Sequence, residues 1–406
     1  MRRLVYTLLV AALFSCSGPK QESYVILVSF DGFRHDYVEK FDLKNFKEFV
    51  NRGASAEALI PSFPSKTFSN HYSIATGLYP GHHGIVANKF FDKEQNKLFN
   101  LHNPAMVKDS TFFSGTPLWE LAQQKGLKSA SIFWAGSEAP VNPTYYMEYN
   151  EEMDNDLRID QVISWLQLPP EERPRFITLY FSLVDTQGHD FGPESTELHE
   201  SVVEADRLFG ALLDALKQLS LRTNVIVTSD HGMTKLKQDS STYIVLPELI
   251  PGLDTTVRVV NSGTQASFYC DECDSVYYQL KRLEQDNGFK ILRRTEFPKR
   301  WHYDTSLAGD ILMIADAGKQ IESSSKILEW IARQDKLSYF GAHGYDPALV
   351  KDMYGIFYAA GPDIKSGIKV PPFQNVDVYP FVAKLLKLPT PPIDGSSEST
   401  KSMLKQ

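Results

Sequence analysis

Three stretches of the chain are apolar at nearly every position rather than at alternate ones, and each runs into an aspartate. Residues 24–30 (YVILVSF) precede Asp31, residues 176–184 (FITLYFSLV) precede Asp185, and residues 224–229 (NVIVTS) precede Asp230. Uninterrupted β-branched and aromatic runs are what strands buried on both faces of a parallel sheet require, and helical patterns lie between them. The pattern predicts an α/β fold with a central, mostly parallel sheet flanked by helices. In open sheets of this kind ligands bind beyond the carboxyl ends of the strands, so the three aspartates are expected at one edge. A fourth strand is expected within 354–360, stopped by the turn-forming Gly361-Pro362. Between about 243 and 335 short apolar runs mix with charged stretches, and 277–290 and 323–333 have helical amphipathicity. This region reads as a smaller lobe inserted before the sheet resumes. The Pro- and Ser-rich residues 389–406 predict a flexible tail, which leaves 24–388 as the main domain.

The first fifteen residues, MRRLVYTLLVAALFS, do not belong to this scheme. Two arginines, an apolar stretch too short to span a bilayer and then small residues are the layout of a secretory signal. The run ends at Cys16, followed by Ser17-Gly18-Pro19, which is similar to a bacterial lipoprotein processing site with Cys16 as the lipidated residue. The expectation is an exported, membrane-anchored protein of the cell envelope, in the periplasm or on the outer membrane. Only Cys270 and Cys273 then remain, as Cys-Asp-Glu-Cys. A structural zinc site needs four ligands, so in an oxidising compartment a local disulfide or two free thiols is the expected state.

Composition narrows the function classes. The chain has 406 residues, 42% of them hydrophobic, and a net charge of -8. It has room for a large core, and its acidic balance argues against a nucleic-acid duplex as partner.

Asp31, Asp185, His189, Asp230, His231 and His343 form a set of oxygen and nitrogen donors. Asp185 and His189 are four residues apart across an expected strand end and Gly turn, and Asp230-His231-Gly232 puts both donor types on one exit. Mixed carboxylate and imidazole ligands suit zinc or a similar divalent ion, and six of them fit two ions better than one. Pro61-Ser-Phe-Pro64 followed by a helical pattern puts Thr67 near a helix N-terminus, where unpaired N–H groups and the helix dipole favour an alkoxide and a phosphate alike. A threonine hydroxyl is too weak an acid to attack at neutral pH, but a divalent ion can activate it.

Five segments in order, VSFDGFR from Val28, PSFPSKTFSNHYSIATGLYPGHHGIVANKFFD from Pro61, FSLVDTQGHDFGP from Phe181, VTSDHGMT from Val227 and GAHGYDP from Gly341, resemble the nucleotide pyrophosphatase/phosphodiesterase family of the alkaline phosphatase superfamily. The resemblance runs from about residue 24 to 388 and implies an alkaline-phosphatase-like fold. It implies Thr67 as the nucleophile that becomes a covalent nucleotidyl intermediate. It assigns Asp185, His189 and His343 to one zinc, and Asp31, Asp230 and His231, with Thr67, to the other. Asn88 matches the side chain that donates to a nonbridging phosphate oxygen. Phe68 and Tyr146 fit the two aromatics that hold the base, with Tyr145 and Tyr149 competing for the second place. Trp134 and Glu138 lie in the same pocket stretch, Glu138 standing where the family pattern has Asp.

The function implied is a two-zinc hydrolase of small-molecule nucleotides: a monomer that cleaves nucleotide phosphodiester or phosphoanhydride bonds and releases nucleoside 5′-monophosphates. Two rivals belong to the same superfamily. A phosphomonoesterase would need extra positive charge for a dianion, and residues 134–146 hold no Lys or Arg. A lysophospholipid phosphodiesterase would use the aromatic positions for a lipid rather than a stacked base. A noncatalytic envelope lipoprotein would lack a ligand or Thr67, and none is missing.

Overall fold

The computed structural model describes residues 22–405, apart from 140, 252, 254–256 and 334–337. The signal-like segment and Cys16 lie outside the described residues.

An eight-stranded sheet forms the centre, in the order Ile368–Val370, Ala54–Ala56, Phe357–Ala360, Thr223–Thr228, Tyr24–Phe30, Phe176–Phe181, Ser129–Ile132, Tyr145–Met147. Tyr24–Phe30 pairs in parallel with Phe176–Phe181 on one side and Thr223–Thr228 on the other. Phe357–Ala360 runs antiparallel to both its neighbours, and the remaining pairs are parallel. The unbroken apolar runs have the cause expected of them. In the Tyr24–Phe30 strand, Val25 and Leu27 enter the core that holds the helices Thr67–Thr76, Leu118–Gln124 and Val378–Leu385. Ile26, Val28 and Phe30 enter the core on the other face, under Lys44–Arg52, Asn155–Leu166 and Thr196–Gln218. Burying both faces of each strand is the main apolar driving force, at roughly 25 cal/mol per Å².

A second body has its own core. Arg258–Asn261, Gln265–Tyr269, Ile311–Ala315 and Phe289–Arg293 form an antiparallel sheet, in the order β-strands 258, 265, 311, 289, with the helix Asp274–Asn287 against it. The expected amphipathic helices are present as Asp274–Asn287 and Lys326–Ala332. Chain enters and leaves this body through an antiparallel ribbon, Thr234–Lys237 against Tyr339–Ala342, with Thr234 opposite Ala342. That register returns His343 to the place His231 has just left. Cys270 and Cys273 are joined by a disulfide.

Two sequence expectations are corrected. The run 176–184 is a strand only to Phe181, and Leu183–Phe191 is a helix. Asp185 and His189 therefore share one helix face a turn apart instead of straddling a strand end and a Gly turn. Gly188 is accommodated inside that helix because Met233 and the Gly341 backbone press on it; a Cβ on Gly341 would lie 2.2 Å from the Gly188 carbonyl oxygen. The flexible tail is the second. The Asp394 and Gly395 N–H groups donate to the Gly77 carbonyl at 2.9 and 3.0 Å, Ser396 and Ser399 donate to the Asp377 carboxylate, and Met403 is buried. The serines that read as loop formers serve as hydrogen-bond donors that fasten the segment to the core.

Candidate active site

The carboxyl edge of the sheet gathers the expected ligands. Asp31 follows the Tyr24–Phe30 strand and Asp230-His231 follow Thr223–Thr228, the two strands being neighbours. Gly32 has φ +68°, and a Cβ there would lie 2.8 Å from the Asp185 Cα, so only glycine lets the Asp185 helix close on Asp31. His231 Nε2 lies 3.1 Å from Asp230 Oδ2 and 3.4 Å from Asp31 Oδ1. His189 Nε2 lies 3.5 Å and His343 Nε2 3.9 Å from the Asp185 carboxylate. The His231 and His343 rings stack at 3.6 Å between centroids, joining the two groups.

Each of these imidazoles is oriented by a backbone carbonyl. His189 Nδ1 lies 2.9 Å from the Gly341 oxygen, His231 Nδ1 2.9 Å from that of Gly232, and His343 Nδ1 2.8 Å from that of Ser65. A carbonyl accepts only, so Nδ1 carries the proton and Nε2 presents its lone pair to the cluster. The carboxylates are poised in the complementary way. Asp31 Oδ1, Asp185 Oδ1 and Asp230 Oδ2 are buried oxygens with no hydrogen-bond partner among the described residues. Burial, reinforced by the neighbouring acids, pushes Asp31 and Asp230 well above the usual carboxylate range, and burial raises Asp185 as well. Burial pulls His231 and His343 well below the ordinary imidazole value. Orphaned acceptors and neutral imidazoles facing one another are the donor set of a divalent cation, and the charge of such an ion would restore the carboxylates to their ionised form. The residues present therefore fit metal ions.

Thr67 opens the helix Thr67–Thr76, with its hydroxyl 3.3 Å from His231 Nε2. Lys66 holds the position ahead of it in extended conformation, and its buried ammonium turns away to donate to the His343 carbonyl at 2.7 Å. Burial lowers that lysine to about 8. Asn88 Oδ1 accepts from the Phe68 N–H at 3.0 Å, which leaves the Asn88 amide NH₂ as the end available beside Thr67. Phe68 is half-buried, its ring 5.8 Å from Phe99.

The sequence profile of the type I phosphodiesterase / nucleotide pyrophosphatase family matches residues 25–346. The chain belongs to that family. It is 33% identical over 407 residues to venom phosphodiesterase 2 of Crotalus adamanteus, the match covering 96% of this chain and 48% of the snake protein. The chain thus spans about half the length of the curated relatives it matches. Murine ectonucleotide pyrophosphatase/phosphodiesterase 5 superposes with a TM-score of 0.85 at 31% identity, over 94% of this chain and 100% of the murine chain. An inactive variant of the murine protein in complex with AMP superposes equally well, over 95% of this chain. The fold is the alkaline-phosphatase-like one, and at its sheet edge Asp185, His231 and His343, and Asp31, His71 and Asp230, form two groups whose donor atoms lie close enough together to hold a metal ion.

The remaining positions divide. Trp134 is 1% exposed; its indole N–H donates to the His71 carbonyl at 3.0 Å, and its ring stands edge-on to the His71 ring, so it supports the Thr67 helix from below. Tyr146 sits on the exposed side of the edge strand, and among the described residues no hydrogen bond or ring contact ties it to the cluster. Tyr145 hydrogen-bonds Glu172. Tyr149 is the tyrosine of this stretch that approaches the site: its ring lies 5.4 Å from Phe133 and 6.5 Å from Tyr180, whose hydroxyl donates to Asp31 Oδ2 at 2.6 Å. Glu138 Oε1 accepts from the Tyr149 N–H at 2.8 Å. Sequence reasoning passed over Tyr180 and His71. His71 had a usable signal, since it lies one helical turn after Thr67 and so on the same face.

Proposed function

We propose that this chain hydrolyses nucleotide phosphodiester and phosphoanhydride bonds and releases nucleoside 5′-monophosphates, with Thr67 as the nucleophile. The observation that carries the reading is the Thr67 hydroxyl at a helix N-terminus, 3.3 Å from His231 Nε2, which itself lies 3.1 and 3.4 Å from unpaired oxygens of Asp230 and Asp31. The AMP complex of the murine relative supports a nucleotide as ligand.

Asp31, Asp230 and His231 with Thr67, and Asp185, His189 and His343, would each hold one divalent ion, zinc by the mixture of imidazole and carboxylate donors. When bound, the two ions supply Lewis acidity to the attacking, leaving and nonbridging oxygens. Thr67 Oγ1 attacks phosphorus in line with the departing oxygen, giving a threonyl nucleotide ester. Asn88, fixed through its carbonyl by the Phe68 N–H, donates from its NH₂ to a nonbridging oxygen, an interaction of roughly 2.7–4 kcal/mol in comparable oxyanion sites. Water then displaces Thr67 from the same phosphorus, so two inversions leave the configuration retained. Phe68 forms one wall of the nucleoside side; we assign the other to Tyr149 rather than Tyr146, on its packing with Phe133 and Tyr180. Lys66 is engaged by the His343 carbonyl, so it does not add the positive charge a monoester dianion would call for. We further propose that the protein is exported, anchored through a lipid on Cys16 and monomeric; Cys16→Ser should shift active enzyme from the membrane to the soluble fraction.

The test of the activity is a comparison of three substrates on the purified, zinc-loaded protein: a nucleoside 5′-arylphosphate diester, the arylphosphate monoester and a lysophospholipid. The diester should give the highest kcat/KM. Preference for the monoester or the lysophospholipid would replace this reading with the corresponding member of the superfamily.

A further inference from the structure

His71 stands at the cluster, yet its imidazole is arranged differently from the others. Its Nδ1 lies 2.9 Å from the carbonyl oxygen of Thr67, and its Nε2 lies 2.8 Å from Ser29 Oγ. The same Nδ1 is 3.3 Å from Asp230 Oδ2, the oxygen that also approaches His231 Nε2. Both His71 and Ser29 are fully buried. The ring is clamped edge-on by Trp134 at 5.0 Å on one side and by Tyr180 at 5.2 Å on the other, and Tyr180 in turn donates to Asp31. His71 thus touches the nucleophile's own peptide group and one ligand carboxylate, and stands one residue from a second.

The donor and acceptor rules leave one neutral tautomer that satisfies every contact. The Thr67 carbonyl can only accept, so the proton must be on Nδ1. Nε2 then has a lone pair, and Ser29 donates its hydroxyl proton to it. Because both ring nitrogens are occupied in this way, His71 has no lone pair to offer a cation, although its ring lies among Asp31 and Asp230.

We propose that His71 is a positioning residue: its Nδ1–H, fixed as the proton-bearing nitrogen by Ser29, holds the Thr67 carbonyl by a hydrogen bond and stands 3.3 Å from Asp230 Oδ2, and so keeps the Thr67 hydroxyl and Asp230 Oδ2 in place at the cluster. The Thr67 peptide is then held on both sides, by His71 on its carbonyl and by Asn88 on the following N–H. Outer contacts of this kind orient metal-binding carboxylates, and their loss costs about 10- to 100-fold in metal affinity or rate. This inference rests on the proposed roles of Thr67 and Asp230, and its test separates the two.

The first measurement is the tautomer of His71 in the metal-free full chain, read from the ¹⁵N shifts of the ring nitrogens and assigned by their loss in His71→Asn. A protonated Nδ1 with a pyridine-like Nε2 is expected; a protonated Nε2 overturns the proposal, whatever the activity. The second is a pair of variants. An Asn amide can place an N–H near the Nδ1 position, whereas a Gln amide reaches the Nε2 position. His71→Asn should retain kcat and zinc affinity within about tenfold, while His71→Gln should lose about 10- to 100-fold in both, with KM for the nucleotide diester little changed. Equal losses in the two variants at similar Tm, or a loss confined to KM, would overturn it. If either variant fails to fold, Ser29→Ala replaces them: it removes the donor to Nε2 and should yield a mixture of tautomers together with a several-fold lower kcat, and a pure Nδ1–H form with unchanged kcat would count against the proposal. Wild-type protein that shows the expected tautomer but no nucleotide diesterase activity would refute the functional reading alone.

Discussion

The two sides of the cleft are built by different means. On the ligand side each imidazole is locked by a backbone carbonyl: Gly341 for His189, Gly232 for His231 and Ser65 for His343. Gly341 belongs to the ribbon that closes the inserted body, Gly232 to the turn that leads into that ribbon and Ser65 to the loop before the Thr67 helix, so the fold itself sets the geometry. On the proposed nucleoside side, Phe68 leans on Phe99, and Tyr149 is held by ring contacts to Phe133 and by one hydrogen bond from its N–H to Glu138. Phe133 adopts φ +61°, a left-handed conformation that an aromatic residue rarely takes, and burial of its ring and its contact with the Arg158 guanidinium hold it there. The proposed chemistry is thus mounted on the sheet, where a change of ligand propagates into the core. The proposed recognition is mounted on side chains of a connecting segment, where a change stays local. Catalytic power and substrate preference should therefore separate under mutation.

The largest effects should come from the ligand side. Thr67→Ala removes the atom proposed to attack and should lower kcat by at least about 10³-fold with every substrate, while bound metal measured by elemental analysis remains near the wild-type content. Chelation should likewise abolish turnover of all substrates, and it should lower Tm as well. Three carboxylates buried without partners lose their counter-charge, and a ligand at about 100 times its Kd contributes about 2.7 kcal/mol to the native state. A chelated protein with unchanged Tm and full activity would remove the metal reading altogether.

The same division explains what the sequence made legible. The three aspartates could be placed because each follows a run apolar on both faces, and such runs fix strand and edge together. The Asp185 helix is not legible in the sequence because FITLYFSLV continues its apolar run past the strand end at Phe181 into a helix that begins at Leu183. Residues 389–405 were misread for a related reason, since serine and proline look alike in a loose tail and in a segment pinned by Gly77 and Asp377. The family motifs single out Thr67 and the candidate ligands because the roles proposed for them need particular side chains at particular spacings. The choice of a second aromatic wall is not legible in the sequence, because Tyr145, Tyr146 and Tyr149 are chemically identical and differ only in surroundings: Tyr145 hydrogen-bonds Glu172, Tyr146 is exposed, and Tyr149 packs on Phe133.

That choice gives the intermediate effect. Tyr149→Ala should reduce kcat/KM for a nucleotide diester by about 1–3 kcal/mol, roughly tenfold to a hundredfold, and leave a methyl arylphosphate diester nearly unaffected. Tyr146→Ala should change neither. The opposite ranking would return the base-holding role to Tyr146, and an equal loss on both substrates from Tyr149→Ala would mean that the ring supports Tyr180 and Asp31 rather than the nucleoside.

The smallest effect, and the sharpest probe of how the recognition side is held, belongs to Glu138. Its carboxylate could act through charge, on a polar group of the nucleoside, or through the hydrogen bond it accepts from the Tyr149 N–H at 2.8 Å. The two roles respond differently to substitution. Glu138→Gln removes the charge and keeps a carbonyl oxygen that can accept from the same N–H, whereas Glu138→Ala removes both. A net hydrogen bond is worth about 0.5–1.5 kcal/mol, so the Ala variant should lose about fivefold in kcat/KM for the nucleotide diester, with the Gln variant close to wild type. Because the bond acts only by placing Tyr149, the loss should vanish in a Tyr149→Ala background, where Glu138→Ala has nothing left to position. The methyl diester should be insensitive to both changes. If Glu138→Gln instead matches Glu138→Ala, and the loss persists without the Tyr149 ring, the carboxylate charge itself meets the substrate, and the recognition side contains a direct polar contact in addition to its aromatic walls.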